Sequence, residues 1–147
     1  VESCTGGLIA SKITSVAGSS SVFGAGFVTY PNEMKTAMVG VSETTLEKYG
    51  AVSEEVVIEM AQGALNKSYS DWAVAVSGIA GPGGGTEDKP VGTVWLAWGN
   101  HSEIKTVKLF FPFSRERFQD YVASAGLDLI RRELLNIEER PNYFPKD

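Results

Sequence analysis

Residues 72–77, Trp-Ala-Val-Ala-Val-Ser, form a short apolar run typical of a buried strand, and they open into Gly78-Ile79-Ala80-Gly81-Pro82-Gly83-Gly84-Gly85. A strand that feeds a glycine loop needs helices and further strands around it, and the rest of the chain supplies both. Val91 to Trp98 and Ile104 to Phe111 read as two more strands, joined across Gly99-Asn100-His101-Ser102 as a hairpin. Ser53 is positioned to cap a helix that carries Glu54 and Glu55 in its first turn, with Val56, Val57, Met60, Ala61 and Ala64 along one face. Ser114 is placed to cap a long helix with Phe118, Val122, Ala125, Leu129 and Ile130 at core spacing. Strands mixed with helices, plus one hairpin, predict an α/β fold: a layered α/β/α sandwich with a mixed sheet.

Nearer the start, Leu8, Ile9, Ile13 and Val16 recur at helical spacing, which predicts a helix over 6–17 ended by Gly18. Phe23 to Tyr30 is rich in aromatic and β-branched residues and is read as a strand, interrupted by Gly24 and Gly26 and running into Pro31. Asn32 is read as the N-cap of a short helix that places Lys35 in its first turn and ends at Gly40. The 147 residues, 43% hydrophobic, suit a single domain over 1–147. The chain opens without methionine at what reads as the exit of a strand, so an earlier strand and helix are expected to be missing.

A net charge of −5 with no basic run or basic-aromatic stripe argues against nucleic acid as a partner. Cys4 stands without a second cysteine for a disulfide, and with His101 the only histidine there is no ligand cluster of the kind zinc needs. No apolar run approaches the roughly 18 residues of a membrane span, and no export signal opens the chain. The expectation is a cytoplasmic protein with no metal, cofactor or membrane partner.

The chemistry is concentrated in Ser3-Cys4-Thr5-Gly6-Gly7, which lies directly ahead of a helix. Unpaired backbone N–H groups and the macrodipole favour an anion at a helix start, and small residues let a ligand approach. The same residues also suit plain helix capping by Ser3 or Thr5. A serine nucleophile needs a base. His101 qualifies by residue type but falls in the hairpin turn, whereas Lys35 offers the serine-lysine variant, which requires a neutral amine. Burial and neighbouring positive potential lower a lysine pKa; a solvated Lys35 paired with Glu33 would not serve. Tyr30, five residues before Lys35, is placed to relay a proton. Arg115 stands at the first position of a helix, where a cation opposes the dipole, so an anionic ligand or neighbouring Glu116 is its expected partner. Cys4 is a second candidate nucleophile, although adjacent residues of an extended segment point to opposite sides, so only one of Ser3 and Cys4 is expected to face a cleft. Gly78, Gly81 and Gly83 offer backbone amides for an anion or sugar, but match neither standard nucleotide fingerprint.

Glu2-Ser3-Cys4-Thr5-Gly6-Gly7, Tyr30-Pro31-Asn32-Glu33-Met34-Lys35, Gly50-Ala51-Val52-Ser53-Glu54, Ser77-Gly78-Ile79-Ala80-Gly81-Pro82 and Lys89-Pro90-Val91-Gly92-Thr93-Val94-Trp95 together resemble the signature blocks of the CinA C-terminal domain family, in order and across nearly the whole chain. The resemblance implies hydrolysis of the carboxamide of nicotinamide mononucleotide to nicotinate mononucleotide and ammonia, without a metal and typically in a homodimer. It implies Ser3 as nucleophile, Lys35 as general base, Tyr30 as a partner in proton transfer and Arg115 as an active-site arginine. Thr5, Gly6 and Gly7 would bind substrate, their amides serving either the oxyanion or the phosphate. Pro31 and Phe113-Ser114 depart from the pattern of that family. A non-catalytic domain that keeps the pocket to bind a nucleotide or a partner is the alternative.

Overall fold

The computed structural model describes residues 1–145. Three strands, β1 (Ala73–Gly78), β2 (Thr93–Gly99) and β3 (Ile104–Phe110), form an antiparallel sheet with β2 in the centre. The register sets Ala75 opposite Ala97 and Leu96 opposite Val107. The parallel component of the sheet is confined to Glu2, which bridges Val76 on one side and Val28 on the other.

Alternation along the strands builds two unlike faces, because successive side chains point to opposite sides. Val74, Val76, Val94, Leu96, Trp98 and Leu109 turn toward α5 (Arg115–Leu134), which packs with α1 (Leu8–Thr14) over that face. Ala73, Ala75 and Ala97 turn toward α4 (Glu54–Ser68), and their small side chains allow that helix to lie close to the sheet. Helices α2 (Asn32–Val39) and α3 (Glu43–Tyr49) pack on α4. The result is the α/β/α layering that the strand and helix pattern predicts. Among the described residues, no helix is long and apolar enough to cross a membrane.

Helix α4 starts where the sequence places it, with the Ser53 hydroxyl accepting from the Val56 N–H at 3.4 Å. The hairpin also forms as expected. Its turn is tied by Asn100 Oδ1, which accepts from the N–H groups of Ser102 and Glu103.

Other expectations are corrected. The helix predicted over 6–17 is shorter because Gly6 and Gly7, at φ of 60° and 102°, lie in the left-handed region and belong to the preceding turn. Segment 23–30 is not a strand: only Val28 bridges a neighbour, and the rest, punctuated by Gly24 and Gly26, pairs with no strand. Asn32 is the first helical residue of α2 and Pro31 holds the N-cap position, its ring already fixing φ at −81°. Ser114 occupies the N-cap position of α5 but its hydroxyl makes no capping bond. Helix α3 was not expected. Its start is secured by Glu59 of α4, whose carboxylate accepts from Ser42 N–H at 2.7 Å and Thr45 Oγ1 at 2.6 Å.

Candidate active site

Ser3 sits in the turn between the Glu2 bridge and α1, its N–H donating to Val76 O at 3.2 Å. It lines a cleft of about 220 Å³ together with Cys4, Tyr30, Lys35, Ser77 and Arg115. Four segments that are distant in sequence therefore meet at one point: the first turn, the start of α2, the end of β1 and the start of α5. Asn32, Ala51, Val52, Gly78 and Ala80 complete the wall. The hydroxyl of Ser77 donates to Ala51 O at 2.7 Å and so ties the segment before α4 to the mouth of β1.

Lys35 is only 1% exposed, an unusual state for a lysine. Its Nζ donates to Thr29 O at 3.0 Å and to Tyr30 O at 3.1 Å, and no carboxylate pairs with it among the described residues. Burial disfavours the ammonium and lowers the pKa of Lys35, an effect larger than the opposing influence of Cys4 and Glu33. The solvated Lys35–Glu33 pair is thus not what forms.

Tyr30 contributes at both ends. Its carbonyl holds Lys35, and its phenol oxygen accepts from a guanidinium nitrogen of Arg115 at 2.7 Å. The other terminal nitrogen of Arg115 donates to Gly81 O at 2.8 Å. Glu116 makes no ion pair with Arg115 among the described residues, so the expected alternative partner is replaced by a phenol and a carbonyl, neither of which neutralises the cation. Arg115 keeps its charge at the cleft mouth.

Ser3 and Cys4 both line the cleft, contrary to the expectation that only one would. They lie in a tight turn rather than an extended segment, so the alternation of a strand does not apply. Burial pushes the Cys4 thiol up to about 12, far from the thiolate that nucleophilic sulfur requires. His101 stands at the tip of the hairpin, against Gln62 and Asn66 of α4 in a separate cleft, and does not reach Ser3's surroundings.

Of the glycines expected to bind substrate, Gly78 lines the cleft, Gly81 contributes its carbonyl to Arg115, and Gly83 lies outside the wall. Thr5, Gly6 and Gly7 also lie outside it. The Thr5 hydroxyl donates to Glu2 Oε1 at 2.7 Å instead. Glu2 is the buried acceptor of this turn, and in the sequence it stands out only as the one charge in an otherwise uncharged stretch ahead of a helix. Among the described residues no cluster of histidine, cysteine, aspartate or glutamate is arranged to hold a metal ion.

Comparison with known proteins gives a consistent result. The CinA C-terminal domain family matches over residues 1–134. A CinA-like protein of Colwellia psychrerythraea is 61% identical over 143 residues, covering 97% of this chain and 33% of that protein. The nicotinamide-nucleotide amidohydrolase PncC of Enterobacter agglomerans is 53% identical over 135 residues, covering 91% of this chain and 82% of that protein. This chain therefore spans about a third of the length of the CinA-like relatives and most of the shorter PncC. Among solved structures, the competence/damage inducible protein CihA from Agrobacterium tumefaciens superposes with a TM-score of 0.86 at 44% identity, covering 88% of this chain and 79% of that one.

Proposed function

This chain belongs to the CinA C-terminal domain family, and from that premise we propose that it is an amidohydrolase that converts nicotinamide mononucleotide to nicotinate mononucleotide and ammonia. The observation that carries the proposal is a buried lysine with no carboxylate partner among the described residues, lining the same small cleft as a serine hydroxyl.

A neutral amine has two N–H bonds and one lone pair. With both N–H bonds given to Thr29 O and Tyr30 O, the lone pair of Lys35 is left for the proton of Ser3 Oγ. The Ser3 oxygen attacks the amide carbon, and the tetrahedral intermediate collapses to an ester on Ser3 as the amide nitrogen takes the proton from Lys35 and leaves as ammonia. Water then adds to the ester, giving up a proton to Lys35, and the carboxylic acid departs as Ser3 is reprotonated.

The oxyanion is served by backbone N–H groups of the turn that carries Ser3 and Cys4, the part of that turn that lines the cleft. The phosphate is unsuited to the start of α1, because the first-turn N–H groups of Ile9 and Ala10 that would cradle it already donate to the Glu2 carboxylate. Arg115, un-neutralised at the mouth, holds the anionic part of the nucleotide. Tyr30 orients both Lys35 and Arg115.

Ammonia release from nicotinamide mononucleotide by the purified chain tests the proposal. Turnover that falls by at least about 10⁴-fold in Ser3→Ala, with nucleotide still bound, is the expected outcome. A folded wild-type chain that binds the nucleotide but releases no ammonia would identify a binding domain instead.

A further inference from the structure

Glu2 is 3% exposed, yet no cation pairs with it among the described residues. Its charge is met by three donors: Thr5 Oγ1 at 2.7 Å and Ile9 N–H at 2.7 Å on Oε1, and Ala10 N–H at 3.0 Å on Oε2. Two of these are first-turn amides of α1 that have no partner inside the helix. The carboxylate thus pins the beginning of α1 from outside, and the five-residue turn Ser3–Gly7 is strung between that anchor and the helix.

The backbone of the same residue reaches the other half of the site. Glu2 N–H donates to Phe27 O at 2.8 Å, and Thr29 N–H donates to Glu2 O at 2.8 Å. Thr29 and Tyr30 are the residues whose carbonyls hold Lys35 Nζ. One residue is therefore stitched by its side chain to the turn that presents Ser3 and by its main chain to the segment that presents Lys35.

We infer that Glu2 is a positioning residue that sets the distance between the Ser3 hydroxyl and the Lys35 amine; this rests on the reading of Ser3 as nucleophile and Lys35 as base. An unpaired buried carboxylate next to a nucleophile is otherwise costly, and a purely structural cap is commonly made by a short side chain on the helix's own boundary. Glu2 instead reaches across a turn, and the residue it constrains most directly is the one that follows it in the chain.

Glu2→Gln is nearly isosteric but replaces one acceptor oxygen with a donor that faces N–H or O–H groups. The expected result is a fall in kcat of at least about 30-fold with KM changed by less than about threefold, since displacement of a reacting group by about 1 Å costs on that order. Labelling of Ser3 by a fluorophosphonate ester should slow in parallel. Thr5→Val should lower both rates in the same direction, and Thr5→Ser, which keeps the hydroxyl, should restore them; this pair carries the test if Glu2→Gln does not fold. Leu129→Ala, at a core position of α5 itself, supplies a destabilised control that keeps its kcat and labelling rate. A folded Glu2→Gln or Thr5→Val with wild-type kcat and labelling overturns the positioning role, as does a change confined to KM. A wild-type chain that turns over substrate without labelling at Ser3 overturns the nucleophile reading itself, and the positioning role with it.

Discussion

Lys35→Arg is expected to lower kcat by at least about 10³-fold while the chain remains folded, because a guanidinium stays protonated at any working pH and offers no lone pair to Ser3. The substitution keeps a cation where the lysine stood, so it separates a base from a fixed charge. If Lys35 served only to attract an anionic substrate, arginine would serve as well. The pH dependence of the wild type should agree in sign. Burial lowers the pKa of Lys35 below 10.5, and the active form is the deprotonated one, so kcat/KM should be low on the acid side and rise as the pH passes through the lowered value. The plateau should therefore be reached below the pH at which an ordinary lysine titrates. Measuring kcat/KM against pH for the wild type and Lys35→Arg checks both points; a profile falling with rising pH would contradict the assignment.

The largest effect on stability is expected at Gly63. A methyl group there would sit 1.7 Å from Val39 O and 2.6 Å from its carbonyl carbon, far inside contact distance. The obstacle is backbone at the end of α2, so no side-chain rotation relieves it. Gly63→Ala should force α2 and α4 apart and destabilise the fold by about 3 kcal/mol or more, at the upper end of overpacking costs. For a chain of this size that corresponds to a loss of about 10 °C in Tm. Alanine is the better helix former by about 1 kcal/mol, so a stabilised variant would show that the two helices are not in contact at this point. Because α2 also carries Lys35, surviving folded protein should have lost activity beyond its loss of stability. Thermal melting and ammonia release on the same sample separate the two effects.

Both effects trace back to contacts that differ in how far they can be read from sequence. Ser53, Glu54 and the apolar face of α4 are local signals within one element, and the helix begins where they place it. The Ala-Val alternation of β1 likewise announces a strand, and the small and large residues turn out to match a close helix on one side and a thick core on the other. Helix α3 is not legible in the sequence because its N-terminal groups are met by Glu59 from another helix. Segment 23–30 misled in the opposite direction: aromatic and β-branched content suggests a strand, but its glycines provide no side chains to pack, and only the stretch beside Glu2 pairs. In the site, the residue types of Ser3, Tyr30, Lys35 and Arg115 drew attention, and the fold brings all of them to one cleft. What residue types did not reveal was the role of main chain and turn. The partners of Lys35 are two carbonyls, the partner of the Thr5 hydroxyl is Glu2, and the turn at Ser3 brings Cys4 to the same cleft.

A serine nucleophile requires that the Ser3 oxygen become covalently bound to the acyl group of the substrate. Rapid acid quenching of the enzyme during turnover of nicotinamide mononucleotide, followed by proteolysis and mass spectrometry, tests it most directly. The expected result is a nicotinate mononucleotide ester on Ser3, present in the wild type and absent in Ser3→Ala. An adduct on Cys4, or full turnover by Ser3→Ala with no adduct, would contradict it.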